Sequence, residues 1–432
     1  MSSGGKGTVE RGVRILVVSQ FFWPEEFRVN ELTAELTRRG HTVTVLTGKP
    51  NYPGGRTFPE YAADPARYGR FGEARVVRVP VVARGRSRFR LVLNYVSFAV
   101  SAASAGVLKL RREPFDVVFV FQPSPVTAAL PGLALGRIKR APVVLWVLDQ
   151  WPETLIAVGA VTSPVAIGAI ERLVAFIYRR CRLVLTPSRS LLPVVRRHCF
   201  DDARVAYFPN WVEGVYDAGL ADRAPEVPPR RDAFTLMFAG NIGEAQDFPT
   251  ILDAAERLRS RADIRWLIVG DGRKREWLEG EIGRRGLADR FVLLGRQRAH
   301  RMPSFFSHAD AVLVSLKKDA VFSLTVPGKL QTYLAVGKPV IGVLDGEGAE
   351  TIRRARAGVV CSAADSAALA EIIVEMSEST PAKRAAMGEN GKEYARREYD
   401  RDALLGRLEG WLTRTAHGAR GDGLHARFAE RP

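Results

Sequence analysis

Cysteine is scarce: Cys181, Cys199 and Cys361 are the three in 432 residues, and none stands in a CxxC or Cys/His spacing. That argues against a disulfide framework and against a zinc site, and it fits a reducing compartment. No DxD carboxylate cluster follows a strand-like run, so a Mg²⁺ site built on carboxylates is not expected, and no metal or cofactor is assigned. The first twelve residues are Gly/Ser-rich with no apolar run, so a secretory signal is not expected and a cytoplasmic chain is. Helix-turn-helix, zinc-finger and RNA-binding signatures are missing too, so nucleic acid is not an expected partner. One apolar stretch, residues 91–110, approaches spanning length, but Asn94 and several serines dilute it. A helix lying against protein or at a membrane surface is expected there rather than a span.

What the chain does have is charge and apolar mass. A formal net charge of +17 implies attraction to acidic groups such as phosphorylated substrates or anionic lipid, and 46% hydrophobic content suffices for two cores. Val13–Ser19, a helical pattern from Val29 to Arg39, a stop at Gly40 and the run Thr42–Leu46 form a β-α-β unit. Further strands are expected at Val76–Val82, Val117–Phe121, Val143–Val147, Leu183–Thr186 and Val205–Phe208. After a Pro/Arg-rich stretch the alternation restarts, with strands at Thr235–Ala239, Arg265–Val269, Phe291–Leu294, Ala311–Ser315 and Val340–Val343. The predicted fold class is α/β, with two Rossmann-like doubly wound domains facing a central cleft. The expected divisions are an N-terminal domain over 1–216, a linker over 217–232 and a C-terminal domain over 233–398. A helix over 399–415 packs back on the first domain, and a disordered tail spans 416–432.

The most informative segment is TVPGKLQTYLAVGKPVI, residues 325–341. Pro327 suits a helix start, and Gly337 with Pro339 closes the helix after about three turns. The amides of Gly328, Lys329 and Leu330 point out of the helix start, where aligned peptide dipoles favour an anion, and Lys329 adds a full charge. That outlines a diphosphate site. Asp149, Trp151 and Glu153 follow the run Val143–Val147, at a strand's carboxyl end where α/β sites assemble. Either carboxylate can orient or deprotonate an acceptor hydroxyl, and Trp151 offers a platform for a sugar or lipid; Asp149 as a helix cap is the alternative. The loop FFWPEE after the first strand, with Trp23 and Glu25, and Asn30 just beyond it, belongs to the acceptor side. The tract RGRSRFR, residues 84–90, precedes the apolar stretch as a monotopic membrane contact would.

Taken together, FWPEEFRVNEL, TGKPNYP, LDQWPE, GNIGEAQ and VPGKLQTYLAVGKPVI resemble the retaining GT-B glycosyltransferases of family 4. They are most similar to the subgroup of L-N-acetylfucosamine and colanic-acid transferases in O-antigen or capsule assembly. The resemblance covers most of the chain. It implies transfer of an N-acetylated hexosamine or deoxyhexosamine from a UDP-sugar to a polyprenyl-diphosphate-linked glycan, without metal, at the inner face of the cell membrane. The implied donor-side residues are Gly240, Asn241, Gly243, Gln246, Gly270, Gly272, Arg273, Arg298, Thr325, Gly328, Lys329 and Thr332. The chain departs from the broader family at the two glutamates flanking the phosphate helix, whose positions hold Leu324 and Thr332. It departs also after the first strand of the second domain, where Asn241 and Gln246 replace the usual cations. Thr332 or Gln331 then offers a hydrogen bond to ribose, and diphosphate charge falls on Lys329, with Arg273 or Arg298. A UDP-sugar epimerase on the same two-domain scaffold is the competing enzyme reading, and a basic nucleic-acid-binding protein is the non-enzymatic one.

Overall fold

The computed structural model describes residues 12–418 except 86, 158, 217–218 and 230–232, and the chain forms two compact units. The first comprises the described chain up to Pro187, Leu192–Phe208 and the described chain from Leu405; the second comprises Ser188–Leu191 and Pro209–Leu404.

The first unit is built on eight strands: β1 (Arg14–Val18), β2 (Thr42–Gly48), β3 (Arg70–Phe71), β4 (Ala74–Val79), β5 (Val117–Gln122), β6 (Val143–Val147), β7 (Leu183–Thr186) and β8 (Val205–Tyr207). Their order is β3-β4-β2-β1-β5-β6-β7-β8. Pairing is parallel throughout except at β3 and β4, a short antiparallel edge that the sequence reading does not contain. Strands such as VVFVFQ and VVLWV are continuously apolar because helices cover both faces of the sheet, so neither face meets water. The order reverses between β1 and β5, which makes their carboxyl ends the switch point of this unit.

Helix α1 (Arg28–Arg38) buries Val29, Leu32, Thr33 and Leu36, one stripe at three- and four-residue spacing, and Gly40 ends it at φ 89°. Helix α2 (Arg88–Ser101) is capped by Ser87, whose hydroxyl accepts from the Arg90 amide, and continues through a π-helical turn, Ala102–Gly106, to Lys109. Helices α3 (Ala129–Lys139), α4 (Glu153–Ala157) and α5 (Pro164–Arg180) follow. Phe98 and Ala102, Leu135 of α3, and Val174 and Ile177 of α5 share one core, so these three helices form one layer on one face of the sheet.

The second unit carries β9 (Phe234–Ala239), β10 (Ile264–Val269), β11 (Phe291–Leu293), β12 (Ala311–Ser315), β13 (Val340–Val343) and β14 (Gly358–Cys361), in the order β11-β10-β9-β12-β13-β14 and all parallel. Its switch point lies between β9 and β12. The helices used below are α6 (Phe248–Arg257), α7 (Arg275–Arg284), α8 (Gly328–Ala335), α9 (Glu347–Ala355), α10 (Ser366–Glu378), α11 (Pro381–Glu398) and α12 (Arg401–Gly418). Within the first unit, Glu409 of α12 accepts from Arg39 Nη1 at 2.8 Å and pairs with His41 Nε2 at 2.9 Å, and Trp411 packs edge-on against Phe208.

Three expectations are corrected. Within the expected linker 217–232, the described residues 219–229 pack on the second unit: Ala224 and Val227 are buried in its core, the Ala224 amide donates to Ser304 O at 3.2 Å, and Arg265 Nη1 donates to Pro228 O at 2.6 Å. A Pro-rich segment can lie on a core once its backbone groups find partners, and its composition alone hides this. Helix α8 has eight residues, nearer two turns than three, because Gly337 takes φ 70° soon after its end. The expected tail beyond Gly418 lies outside the described residues, whereas 416–418 are helical.

Candidate active site

In the second unit the loops that leave the carboxyl ends of β9, β10 and β11 are stitched side by side. Gly240 N donates to Val269 O, Gly270 N to Gly295 O, and Ile242 N to Asp271 O, each at 2.9 Å. The closeness demands glycine. A Cβ on Gly270, which holds φ 154°, would lie 1.8 Å from Gly240 O, and one on Gly272 would lie 2.2 Å from Ile242 O. These glycines therefore let backbone approach backbone, which the resemblance assigns to backbone approaching a nucleotide. Gly243 is likewise engaged: its N–H donates to Gln246 Oε1 at 3.1 Å, and Asn241 Nδ2 reaches the same oxygen at 3.3 Å. Gln246 thus holds the turn where a cation is usual in the family.

Helix α8 starts behind this turn. Pro327 is its cap residue in extended conformation, and the Leu330 amide already donates to Pro327 O at 2.8 Å. Of the three amides expected to face an anion, Leu330 is withdrawn, while Gly328 stays exposed. Lys329 does not point into solvent. Although part of the residue is accessible, its amine is shut off from water without a hydrogen-bond partner, stands 3.6 Å over the face of Phe238, and lies 3.1 Å from where a Gly240 Cβ would be. Burial alone lowers its pKa to about 7, since no neighbouring charge compensates. The Tyr333 hydroxyl, from the same helix, accepts from Ala239 N at 2.7 Å and donates to Ala239 O at 3.1 Å, which locks α8 to the end of β9.

The remaining donor-side candidates separate. Thr325 spends its hydroxyl on Phe322 O at 3.0 Å. Thr332 is half-buried, whereas Gln331 is buried with Oε1 lacking a partner, so the two alternatives for ribose differ in access and Thr332 has it. Arg273 and Arg298 are exposed. Two cations that the sequence reading passed over flank Glu244 in the loop after β9: Lys274 Nζ at 2.9 Å and Lys317 Nζ at 3.7 Å. Lys317 lies just past β12, after Leu316, and its amide donates to Ala245 O at 2.9 Å, so it sits at the switch point. Its place just past a buried strand was the available signal.

In the first unit, Asp149 lies just beyond β6. Its backbone oxygen accepts from Gln122 Nε2 at 3.1 Å and its carboxylate from Trp151 Nε1 at 3.0 Å, with Ser124 and Thr154 as further hydrogen-bond partners. Burial raises its pKa and outweighs those bonds. Trp151 spends its indole N–H here and packs against the core, which leaves it less free as a platform than expected. Glu153 on α4 has a buried, unpartnered Oε2, and its charge reaches the buried Tyr178 hydroxyl and His198.

The acceptor-side loop is corrected more sharply. Glu25 is 2% exposed and accepts from the amides of Phe22 (3.1 Å), Asn51 and Tyr52 (2.8 Å each), near Arg78, which donates to Gly48 O at 2.8 Å and to Trp23 O. Burial still raises its pKa. Asn30 accepts from the Trp23 amide at 3.1 Å and donates to Glu25 O at 2.7 Å. Both side chains hold the loop together. Trp23 keeps partial exposure and packs on Tyr68 and Phe71. Among the described residues no group of three or more His, Cys, Asp or Glu gathers that could hold a metal ion.

Residues 26–211 match the family model described as a glycosyl transferase 4-like domain, and residues 233–379 match that described as glycosyl transferases group 1. A relative in Escherichia coli (strain K12), named as the colanic acid biosynthesis glycosyl transferase WcaI, is 29% identical over 342 residues, which are 75% of this chain and 82% of that protein. Among solved structures, sucrose-phosphate synthase from Thermosynechococcus elongatus matches with a TM-score of 0.72 at 16% identity, over 94% of this chain and 100% of that one. Anabaena HepE in complex with UDP and glucose matches with a TM-score of 0.64 at 16% identity, over 93% and 99%. The structural likeness establishes two Rossmann-like domains of the GT-B fold, and the family models extend it from fold to enzyme class. The chain belongs to the group 1 glycosyltransferases of the GT-B type, with a family 4-like N-terminal domain.

Proposed function

We propose that this glycosyltransferase moves an N-acetylated hexosamine or deoxyhexosamine from a UDP-sugar to a polyprenyl-diphosphate-linked glycan during cell-surface polysaccharide synthesis, with retention at the anomeric carbon. The observation that carries the donor half is the Lys329 amine, buried without a partner at the start of α8 and against the Gly240 turn. An unpartnered amine in such a place is costly to keep unless an anion completes it in the working enzyme. A leaving diphosphate is such an anion, and its developing charge is what an amine held in a dry site stabilises. Lys317 and Lys274 add charge nearby, and the neutralisation needs no metal. Thr332 is the hydroxyl offered to ribose.

Asp149 is assigned to orient or deprotonate the acceptor hydroxyl. Its raised pKa brings a carboxylate closer to the range in which proton transfer is efficient. The biosynthetic setting is supported by the relative named for colanic acid biosynthesis, and the UDP donor by the HepE complex with UDP and glucose. The apolar outer face of α2, with Arg84 and Arg90 of the tract 84–90, supplies contact with the inner membrane face, where a polyprenyl-linked acceptor resides; Arg86 lies outside the described residues. Calorimetric titration with UDP tests the donor half. Lys329→Met is expected to bind at least about tenfold more weakly than wild type, the scale of one charge-assisted contact; equal affinity would remove Lys329 from the diphosphate site.

A further inference from the structure

Exposed large apolar side chains are distributed unevenly: among the described residues all but Leu220 and Trp277 belong to the first unit. Most of them lie on the outer side of one helical layer. Along α2, Phe89, Val92, Val96 and Val100 recur at three- and four-residue spacing and are 49–71% exposed, while Asn94 and Phe98 on the opposite side are fully buried. Phe89–Lys109 is long and apolar enough to cross a membrane, and its inner face, with Phe98 and Ala102, is part of the sheet's core. Helix α5 repeats the pattern. Val174, Ile177 and Tyr178 face the core, and Val165, Arg172 and Phe176 face out, with Val165 83% exposed. Between these helices, α3 exposes Ile138 next to Lys139.

At the end of α5 the apolar and basic groups are coupled. The Arg180 guanidinium stands 3.6 Å over the Phe176 ring, and that of Arg179 stands 4.7 Å over the ring of Phe200, which is 75% exposed. Both rings line a groove with Arg172 and His198, and Glu171 is its one carboxylate. An exposed ring with a guanidinium on its face presents an apolar body and a phosphate-binding head together, as side chains at a bilayer interface do.

We infer that the Phe176–Phe200 groove, between the end of α5 and the segment before β8, is a second membrane contact, seated on anionic phospholipid. The outer side of the α2, α3 and α5 layer then lies on the bilayer as one surface. The partner is argued from charge: apolar residues bordered by arginines, with one acid among them, complement an anionic headgroup layer. The inference rests on the membrane reading above, and its test separates the two. Co-sedimentation is measured with phosphatidylcholine vesicles, with and without phosphatidylglycerol, for wild type, Phe176→Ser/Phe200→Ser, Arg179→Gln/Arg180→Gln, and Val92→Ser/Val96→Ser of α2. UDP binding and circular dichroism report folding.

The phenylalanine pair is expected to lower partition at least about tenfold on either vesicle, given two rings withdrawn from burial. The arginine pair is expected to lower it about tenfold on anionic vesicles only. If both groove variants bind like wild type while the α2 variant is weakened, the groove has no membrane role and the α2 contact stands alone. If no protein binds, both readings fail. A change in oligomeric state by sedimentation velocity, without change on vesicles, gives the groove to a second copy of the chain and overturns the inference.

Discussion

Replacing Lys329 with methionine keeps the apolar stem and removes the amine, and the structure gives the consequence a sign. Lowering the amine from 10.5 to about 7 by burial corresponds to roughly 5 kcal/mol held against the charged form. Lys329→Met is therefore expected to raise stability by up to roughly 5 kcal/mol at pH 7 or below. Because the folded pKa lies below the unfolded one, the unfolded chain holds the extra proton between about pH 7 and 10.5, and wild-type stability rises with pH across that window. The variant lacks that rise. Urea unfolding at pH 6 to 9.5 measures both quantities, and turnover in the same preparations is expected to fall about 10²-fold, the scale of one lost charge-stabilising group. A less stable variant, an identical pH slope in both proteins, or unchanged turnover would each refute the reasoning.

Asp149→Asn is expected to lower kcat by about 10²-fold while leaving UDP affinity unchanged, because Asp149 lies in the first unit and the Gly240 loop in the second; loss of UDP binding with turnover retained would reverse the assignment. Gly270→Ala is expected to cost about 3 kcal/mol or more and to abolish UDP binding, since its Cβ would meet Gly240 O at 1.8 Å and its φ is 154°; a thermal melt within a degree of wild type would contradict the account of the stitched loops. Changing Arg84, Arg86, Arg88 and Arg90 together to Ser is expected to weaken binding to anionic vesicles by a few kcal/mol at low salt and far less at high salt, as about 1 kcal/mol per cation implies; equal binding at low salt would remove the tract from the membrane contact.

The fold was largely legible because parallel strands buried on both faces are written as short apolar runs, nearly unbroken in β1, β5, β6, β12 and β13 and broken by one polar residue in β9 (Thr235) and β10 (Arg265). β3 has two residues and β14 reads GVVC after a helix, so neither carries enough pattern to stand out. Helices α9 and α10, between β13 and α11, are not among the expected elements, although Asp365 caps α10 by accepting from the Ala368 amide. At the site, the sequence marks where a helix starts and which residue carries charge, and it points to Lys329. It cannot tell that the amine turns inward over Phe238, because Phe238 lies 91 residues earlier on β9 and only the fold brings them together. The same holds for Glu25, whose carboxylate is claimed by the amides of Asn51 and Tyr52 from the segment after β2. The place of its loop after the first strand put Glu25 on the acceptor side, and long-range backbone hydrogen bonds make it the anchor of that loop.

The central claim is transfer, so its most direct test is the product. The purified chain is incubated with a panel of UDP-linked N-acetylhexosamines and deoxyhexosamines, with and without a polyprenyl-diphosphate-linked acceptor. UDP release and the mass of the lipid product are both read. The account expects UDP release that depends on acceptor, a mass gain of one sugar on the lipid, and loss of both in Lys329→Met and Asp149→Asn. A nucleotide sugar isomerised without acceptor would instead make the chain an epimerase, and absence of UDP release with every donor and acceptor pair would contradict the proposed reaction.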